Sequence, residues 1–500
     1  MTRCWGRDWL ALVSCTLLLY GCGKPRPTVA PERPSLEDAT GRLQQDLDSL
    51  LSSPILDRST WGVSVQSLSS NDTLYARGER RLLMPASVMK IVTLATAATR
   101  LGWDYSFETQ VMGVGAINLG FLDGDLLVVG SGDPSLDDWD GQATRVFQEW
   151  AEQLKAQGVR IVGGRVVGDD SAFNDERWGA GWAWDDLGTG YATGVGALQF
   201  NQNAVRLEVV PGTTVGQSAE ISAIPSSATV TLQRFVTTGE PGSAPSVTTR
   251  RTPGSVALDI RGSVPADGPA VFLNVSVDNP TQYFVDQLKR ALVRNGIEVR
   301  GEALDADDLL EPLNREEAVP LISHRSPPLA TLATTLMRNS QNTYAESLFR
   351  VLGAPERTPE AGRVAVNDTL ALWAIEATAL FIVDGSGLSR YNLATAGAIV
   401  RVLDRVYDDP TLRGPFMAAL STAGVDGTLE GRMKGTRAEG RVRAKTGSFS
   451  NVRSIAGYVT TADGEPLAFC LLSNNFGTSA LTIEHTADAI IGRLAEFSRY

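Results

Sequence analysis

The chain has 500 residues, 43% of them apolar, with a formal net charge of -12. That length provides for two or three packed domains around a full hydrophobic core. An acidic balance without clustered Lys and Arg excludes a nucleic-acid surface, since phosphate binding needs such clusters. Two histidines, and four cysteines of which three fall in the first 22 residues, leave neither a zinc cluster nor a disulfide framework. No metal or other cofactor is expected.

Six of the 45 basic residues are lysines (Lys24, Lys90, Lys155, Lys289, Lys434 and Lys445), which leaves 39 arginines. Arginine cannot lose its proton at working pH, so a lysine in an apolar setting marks a role arginine cannot fill; leftover codon bias is the alternative.

Along the chain, Arg3 and Arg7 open a basic start, and Trp9 to Tyr20 form an apolar stretch too short to span a bilayer. With Leu19-Tyr20-Gly21-Cys22, residues 1–22 resemble a bacterial lipoprotein signal in which Cys22 becomes the lipidated first residue. A plain secretory signal is the alternative, and either implies export to the periplasm or cell envelope. Gly23 after Cys22 leans toward the outer membrane, by resemblance to sorting patterns. Residues 23–34 hold four prolines and read as a semi-rigid tether. Ser35 then caps a helix striped by Leu36, Leu43, Leu47, Leu50 and Leu51. Trp61 to Leu68 and Thr73 to Ala76 read as a hairpin.

From Phe107 to about Val277 short Val, Ile and Thr runs are broken by Gly, Asp and Pro. Helical periodicity appears at Val146, Phe147, Trp150 and Leu154, and again at Tyr283, Phe284, Leu288 and Leu292. We read 105–315 as an insertion, with a β-rich subdomain nested at about 195–265, between the halves 35–104 and 316–500 of one catalytic domain. From Leu329 the chain is helical; near its end Arg441 to Thr446, Ala456 to Thr460 and Leu467 to Leu472 read as strands, and Leu481 to Phe497 as a closing helix. Cys470 is then a buried small hydrophobe. Helices with a terminal antiparallel sheet predict an α+β core.

Ser87-Val-Met-Lys90 opens an apolar run to Leu101 with almost no polar face, the pattern of a buried helix. A spacing of three puts the Ser87 hydroxyl and the Lys90 amine one turn apart, and a neutral lysine can take the proton of an attacking serine. With about three dozen serines and six lysines, roughly 0.4 such matches are expected by chance, so the motif alone is weak. Two later stretches strengthen it. Ser340-Gln341-Asn342 offers a hydroxyl and a carboxamide, and Lys445-Thr446-Gly447-Ser448 falls on a strand where glycine permits close approach of a ligand backbone.

Ser-x-x-Lys, Ser-x-Asn and Lys-Thr-Gly in this order resemble the serine acyltransferases called penicillin-binding proteins and serine β-lactamases. The 250-residue step from Lys90 to Ser340 is too long for a β-lactamase. With Gly130-Ser-Gly-Asp-Pro-Ser135, Asp169-Asp-Ser-Ala-Phe173, Gly181-Trp-Ala-Trp-Asp-Asp-Leu187, Asp384-Gly-Ser-Gly-Leu-Ser-Arg390 and Gly424-Val-Asp-Gly-Thr-Leu429, it is similar to the class C low-molecular-mass group, D-alanyl-D-alanine carboxypeptidases and endopeptidases. Gln341 departs from the commoner Asp. The resemblance implies a transpeptidase/β-lactamase-like fold carrying a large insertion, with peptidoglycan stem peptides as substrate and β-lactams as covalent inhibitors.

It also implies roles: Ser87 as nucleophile, Lys90 as its base, Ser340 as relay to the leaving amine, and Asn342 holding the substrate amide. Lys445 and Thr446 would bind the terminal carboxylate, with Gly447 giving room. The backbone N–H groups of Ser87 and Ser448 would form the oxyanion hole. Asp186, Tyr191 and Arg390, with Ser450 adjoining, would read a diaminopimelate side chain; for Asp185 and Asp186 a loop-surface pair is the alternative, and for Trp182 and Trp184 a place in the core. A working Lys90 must titrate about three pH units below a free lysine, roughly 4 kcal/mol of differential interaction, and burial beside Lys445 is of that kind and size. A Ser-His-Asp hydrolase is disfavoured, as no serine has glycine at both -2 and +2 and the two histidines read as structural. A β-lactam-sensing or wall-binding protein that keeps the pocket without turnover is the non-enzymatic alternative.

Overall fold

The computed structural model describes residues 36–137, 142–226, 230–252 and 254–499. Cys22, the leader, the tether and the Ser35 cap lie outside the described residues.

Chain ends that are far apart in sequence build one antiparallel sheet. Its strands run in the order Ser421–Thr422, Val442–Phe449, Val452–Thr460, Pro466–Asn474, Thr60–Ser67, Thr73–Arg77. Leu467 to Asn474 are buried without a break, because helices cover this sheet on both faces and leave no solvent side to alternate toward. On one face the helices Leu36–Leu51 and Ala480–Glu496 pack Leu43, Leu47, Leu51, Ile490, Ile491 and Leu494 against Val63, Val65, Phe469 and Leu471. Each such side chain contributes about 1.5–3 kcal/mol by leaving water.

The other face carries the helix Met89–Leu101. Every residue from Met89 to Ala98 is buried, Lys90 included, as the nearly featureless apolar run predicts. Helices Leu329–Arg338, Asn342–Leu352, Pro359–Leu372, Ala396–Asp408 and Pro410–Ala419 surround it. A lysine is therefore delivered into the middle of a helical core, one turn from the core's sheet.

The insertion has its own core. The hairpin Glu108–Asn118 and Phe121–Val129 centres a seven-stranded mixed sheet, against which Phe147, Trp150, Tyr283 and Phe284 of two amphipathic helices pack. Here the expected boundary shifts. Ala318–Arg325 pairs antiparallel with Glu108–Asn118, so the inserted sheet continues past residue 315 and the chain re-enters the catalytic region after Arg325. Two three-stranded sheets make the nested β region, which runs from Ala204 to Ser276 in place of 195–265: Val271–Ser276 pairs with Ala204–Val210 and belongs with it. Such pairings join segments tens of residues apart and leave no local pattern to read.

Candidate active site

Just ahead of the buried helix, Ala86–Val88 form a single tighter turn. Ala86 has a left-handed backbone (φ 47°), which costs a non-glycine residue about 1–3 kcal/mol and must be held by its surroundings. Asn474 does part of this, accepting from Met84 N–H at 2.8 Å and donating to its carbonyl at 3.1 Å; Ser454 Oγ donates to the Pro85 carbonyl at 2.6 Å. Gly387 presses from the other side, where a Cβ would sit 2.0 Å from the Ala86 carbonyl oxygen. Ser87 is thereby fixed at the mouth of the core.

Lys90 Nζ donates to Ser87 Oγ at 2.9 Å, to Asn342 Oδ1 at 2.6 Å and to the Ser386 carbonyl at 2.7 Å. Across the cleft Lys445 Nζ donates to Ser340 Oγ at 2.8 Å and to the Thr446 carbonyl at 2.8 Å. The three motifs, up to 358 positions apart, converge on one cleft. In front of Ser340 and Asn342 lies a groove of about 390 Å³ bordered by Thr189, Tyr191 and Asn274, within the size range of small-ligand sites.

Burial pushes Lys90 down to about 7, against the opposing pull of Asp384 and, more weakly, Glu346. The expected fall is present and burial causes it, as expected; the share assigned to Lys445 is corrected, because the charges that act on Lys90 are carboxylates, which oppose the fall. The mutual repulsion of the amines is expressed at Lys445, which burial and then the Lys90 charge hold well below the ordinary lysine range.

Gly447 also works differently from expectation. A Cβ there would lie 2.4 Å from Ser454 Oγ and 2.8 Å from both the Pro85 carbonyl oxygen and the Ser87 nitrogen. The glycine admits the protein's own nucleophile turn, and so sets Ser87 N–H against the Lys-Thr-Gly strand. Strand alternation turns Thr446 away from Lys445, and its hydroxyl donates to Thr428 Oγ1 at 2.8 Å. Thr446, Ser448 and Thr428 border a second cavity of about 220 Å³ on the Ala480–Glu496 side of the sheet.

Asn342 is braced at both ends. Its Oδ1 takes the Lys90 proton donor and its Nδ2 gives to the Tyr191 carbonyl at 2.7 Å, so one N–H remains for a substrate. Tyr191 OH donates to Asp186 Oδ1 at 2.7 Å, which ties these two together on the rim. Arg390 holds its guanidinium over the Phe449 ring, 5.1 Å from the centroid, and exposed Ser450 follows Phe449 in the chain. Trp184 is 46% exposed, whereas Trp182 is partly buried and donates from Nε1 to Asp384 Oδ2 at 2.8 Å.

Thr428, Asp384 and Ser386 stand in motifs that assign them no role from sequence alone, and Glu346 stands in none of those motifs. Glu346 follows Asn342 by four residues, the spacing that shares a helix face, on a helix buried from Thr343 to Leu352. His324 stands on the inserted sheet against Trp150, apart from Ser87.

A nucleophilic serine hydrogen-bonded to a near-neutral lysine, facing a second lysine across a groove on this two-part fold, defines a serine peptidase. A family model for the D-Ala-D-Ala carboxypeptidase 3 (S13) family matches residues 43–497, and the chain belongs to that family. It is 34% identical to a D-alanyl-D-alanine carboxypeptidase of Actinomadura sp. (strain R39), over 94% of this chain and 88% of that one. It is 28% identical to the D-alanyl-D-alanine carboxypeptidase DacB of Haemophilus influenzae, over 86% and 88%. The crystal structure of penicillin binding protein 4 (dacB) from H. influenzae superimposes with a TM-score of 0.77 at 26% identity, covering 90% of this chain and 99% of that one. The same protein complexed with a novel β-lactam gives 0.73 at 25% identity, covering 91% and 99%.

Proposed function

We propose that this enzyme removes the terminal D-alanine of peptidoglycan stem peptides, and opens D-alanyl-diaminopimelate crosslinks, through an acyl-enzyme on Ser87. The observation that carries this is the 2.9 Å contact between Lys90 Nζ and Ser87 Oγ in a site where burial brings the amine near neutrality. Neutral Lys90 accepts the Ser87 proton as Oγ attacks the carbonyl carbon of the penultimate residue. Ser87 and Ser448 N–H groups face the developing oxyanion. The C–N bond breaks as Ser340 passes its proton to the leaving amine and is recharged with the proton Lys90 took from Ser87, which returns Lys90 to its neutral form; Lys445, donating to Ser340 Oγ, leaves that hydroxyl's own proton free to go. Water then hydrolyses the ester and restores Ser87.

Lys445 takes the terminal carboxylate, and charge makes this contact strong; Thr446, whose hydroxyl is turned to Thr428, is not placed to share it without turning. The zwitterionic end of a diaminopimelate side chain suits the rim, with its ammonium toward Asp186 and Tyr191 and its carboxylate toward Arg390 and Ser450. The first 22 residues support export and attachment at Cys22, which a Cys22→Ser chain tests by loss of labelled acyl-chain incorporation.

Labelled penicillin and a diaminopimelate-containing pentapeptide test the enzyme reading together. Expected are a covalent adduct on Ser87 and released D-alanine. Adduct without D-alanine points to a sensor, rapid loss of the drug to a β-lactamase, and an adduct retained by Ser87→Ala rejects the assigned nucleophile.

A further inference from the structure

The helix Asn342–Leu352 carries a second group aimed at Lys90. Asn342, Glu346 and Arg350 stand at successive steps of four on one face. Asn342 touches the lysine directly. Glu346, 3% exposed, accepts the Ser386 N–H on Oε1 at 2.7 Å, and the carbonyl of that same Ser386 accepts from Lys90 Nζ at 2.7 Å. Arg350, 2% exposed, donates to Asn174 Oδ1 at 2.8 Å and to the Glu176 carbonyl at 2.5 Å in the insertion.

Asp384, the other buried acid beside Lys90 and the stronger of the two pulls on its proton, has a further task. It accepts from Gly387 N–H (2.8 Å), Ser389 N–H (2.6 Å), Asn392 Nδ2 (2.6 Å) and Trp182 Nε1 (2.8 Å), and so shapes the loop. Glu346 bonds to that loop through Ser386. For this a glutamine would serve as well, since its oxygen accepts the same hydrogen bond, whereas a buried ionisable carboxyl carries a desolvation cost. The carboxyl must be there for its charge.

We propose that Glu346 is a positioning residue for acylation: through Ser386 it aims the Lys90 amine at Ser87, and its charge governs when that amine holds a proton. The proposal rests on the acyl-enzyme reading given above.

Burial, and secondarily Asp384, push Glu346 up to about 7, while Ser386 and Arg350 pull it down. It therefore titrates in the interval in which Lys90 does. The charged groups facing the pair are Asp384 on the loop, Arg350 on the same helix and Lys445 on the strand Val442–Phe449. An ionised Glu346 favours the ammonium form of Lys90. It thus makes Lys90 a stronger base, and it stabilises the charge that appears there when Ser87 gives up its proton.

The test is the pH profile of acylation by labelled penicillin in wild type and Glu346→Gln. Removing the charge lowers the Lys90 pKa, so the midpoint of the rise moves down by about one pH unit. The plateau falls several-fold, because a weaker base accepts the proton. Glu346→Asp, which keeps a charge but draws it back from Ser386, holds a midpoint closer to wild type. Superimposable profiles for wild type and Glu346→Gln overturn the proposal while leaving the enzyme reading intact; a wild type that never labels at Ser87 overturns that reading instead. Should Glu346→Gln not fold, carbon-13 NMR of the wild-type Glu346 carboxyl decides: titration near neutrality supports the proposal, and titration below about pH 5 rejects it.

Discussion

At Lys90 a single proton separates a working site from a silent one. Because burial brings this amine down to about 7, the fraction able to accept the Ser87 proton grows as pH rises through that value. Penicillin acylation should climb over the same interval, which stopped-flow labelling across pH 5 to 9 will show. Arginine in this place keeps its proton throughout, so Lys90→Arg should lose roughly 10²–10⁴-fold in acylation rate at every pH, the range attributed to a positioned base. Gly447 is the second point of high sensitivity. An added methyl meets Ser454 Oγ and the nucleophile turn at 2.4–2.8 Å, and overpacking of this kind costs about 1–3 kcal/mol. Gly447→Ala should lower both the melting temperature and the penicillin labelling rate; a change in neither would mean the turn has slack the packing does not show.

Between residue and domain, the loop Asp384–Asn392 joins the surroundings of the nucleophile to the insertion. One end supplies the Ser386 carbonyl to Lys90, the other carries Arg390, whose N–H donates to the Gly181 carbonyl of the insertion. Trp182 braces the loop from outside by donating to buried Asp384. Trp182→Phe strips a donor from a buried acid and should destabilise the fold by about 1–3 kcal/mol, read by denaturant titration. At this scale the limits of sequence reading are also clearest. Ser87, Lys90, Ser340, Asn342 and Lys445 stand in short motifs whose spacing carries their chemistry, and helices such as Met89–Leu101 and Gln142–Ala156 announce themselves by periodicity. The pairing of Ala318–Arg325 with Glu108–Asn118 is set by a meeting across about 200 residues and leaves no local trace. Glu346 was hidden for another reason: an acid in a helix reads as a solvated face until its neighbours are known to be buried.

In the whole molecule, the nested sheets act on the rim of the site. Val271–Ser276 receives the segment bearing Asp186 and Tyr191: Gly190 N–H donates to the Asn274 carbonyl at 2.8 Å, and Ser276 Oγ to the Leu187 carbonyl at 2.5 Å. The insertion thus fixes the rim proposed above for the stem-peptide side chain, while Lys90 and Ser87 are held by the catalytic core. Ser276→Ala should therefore separate the two: kcat/KM for a diaminopimelate-containing pentapeptide should drop several-fold, with the labelling rate by penicillin, which lacks that side chain, unchanged. Equal losses for both would show that the insertion steadies the nucleophile as well.

The central sheet also makes timing part of the design. Met84 is clamped by Asn474, 390 positions downstream, and Thr60–Ser67 finds its neighbour only in Pro466–Asn474. Until the polypeptide is nearly complete, Ser87 has neither its clamp nor the strand that brings Lys445, so a product truncated before Asn474 should be inert toward peptide and drug alike. Competence arrives all at once, with the last tenth of the chain.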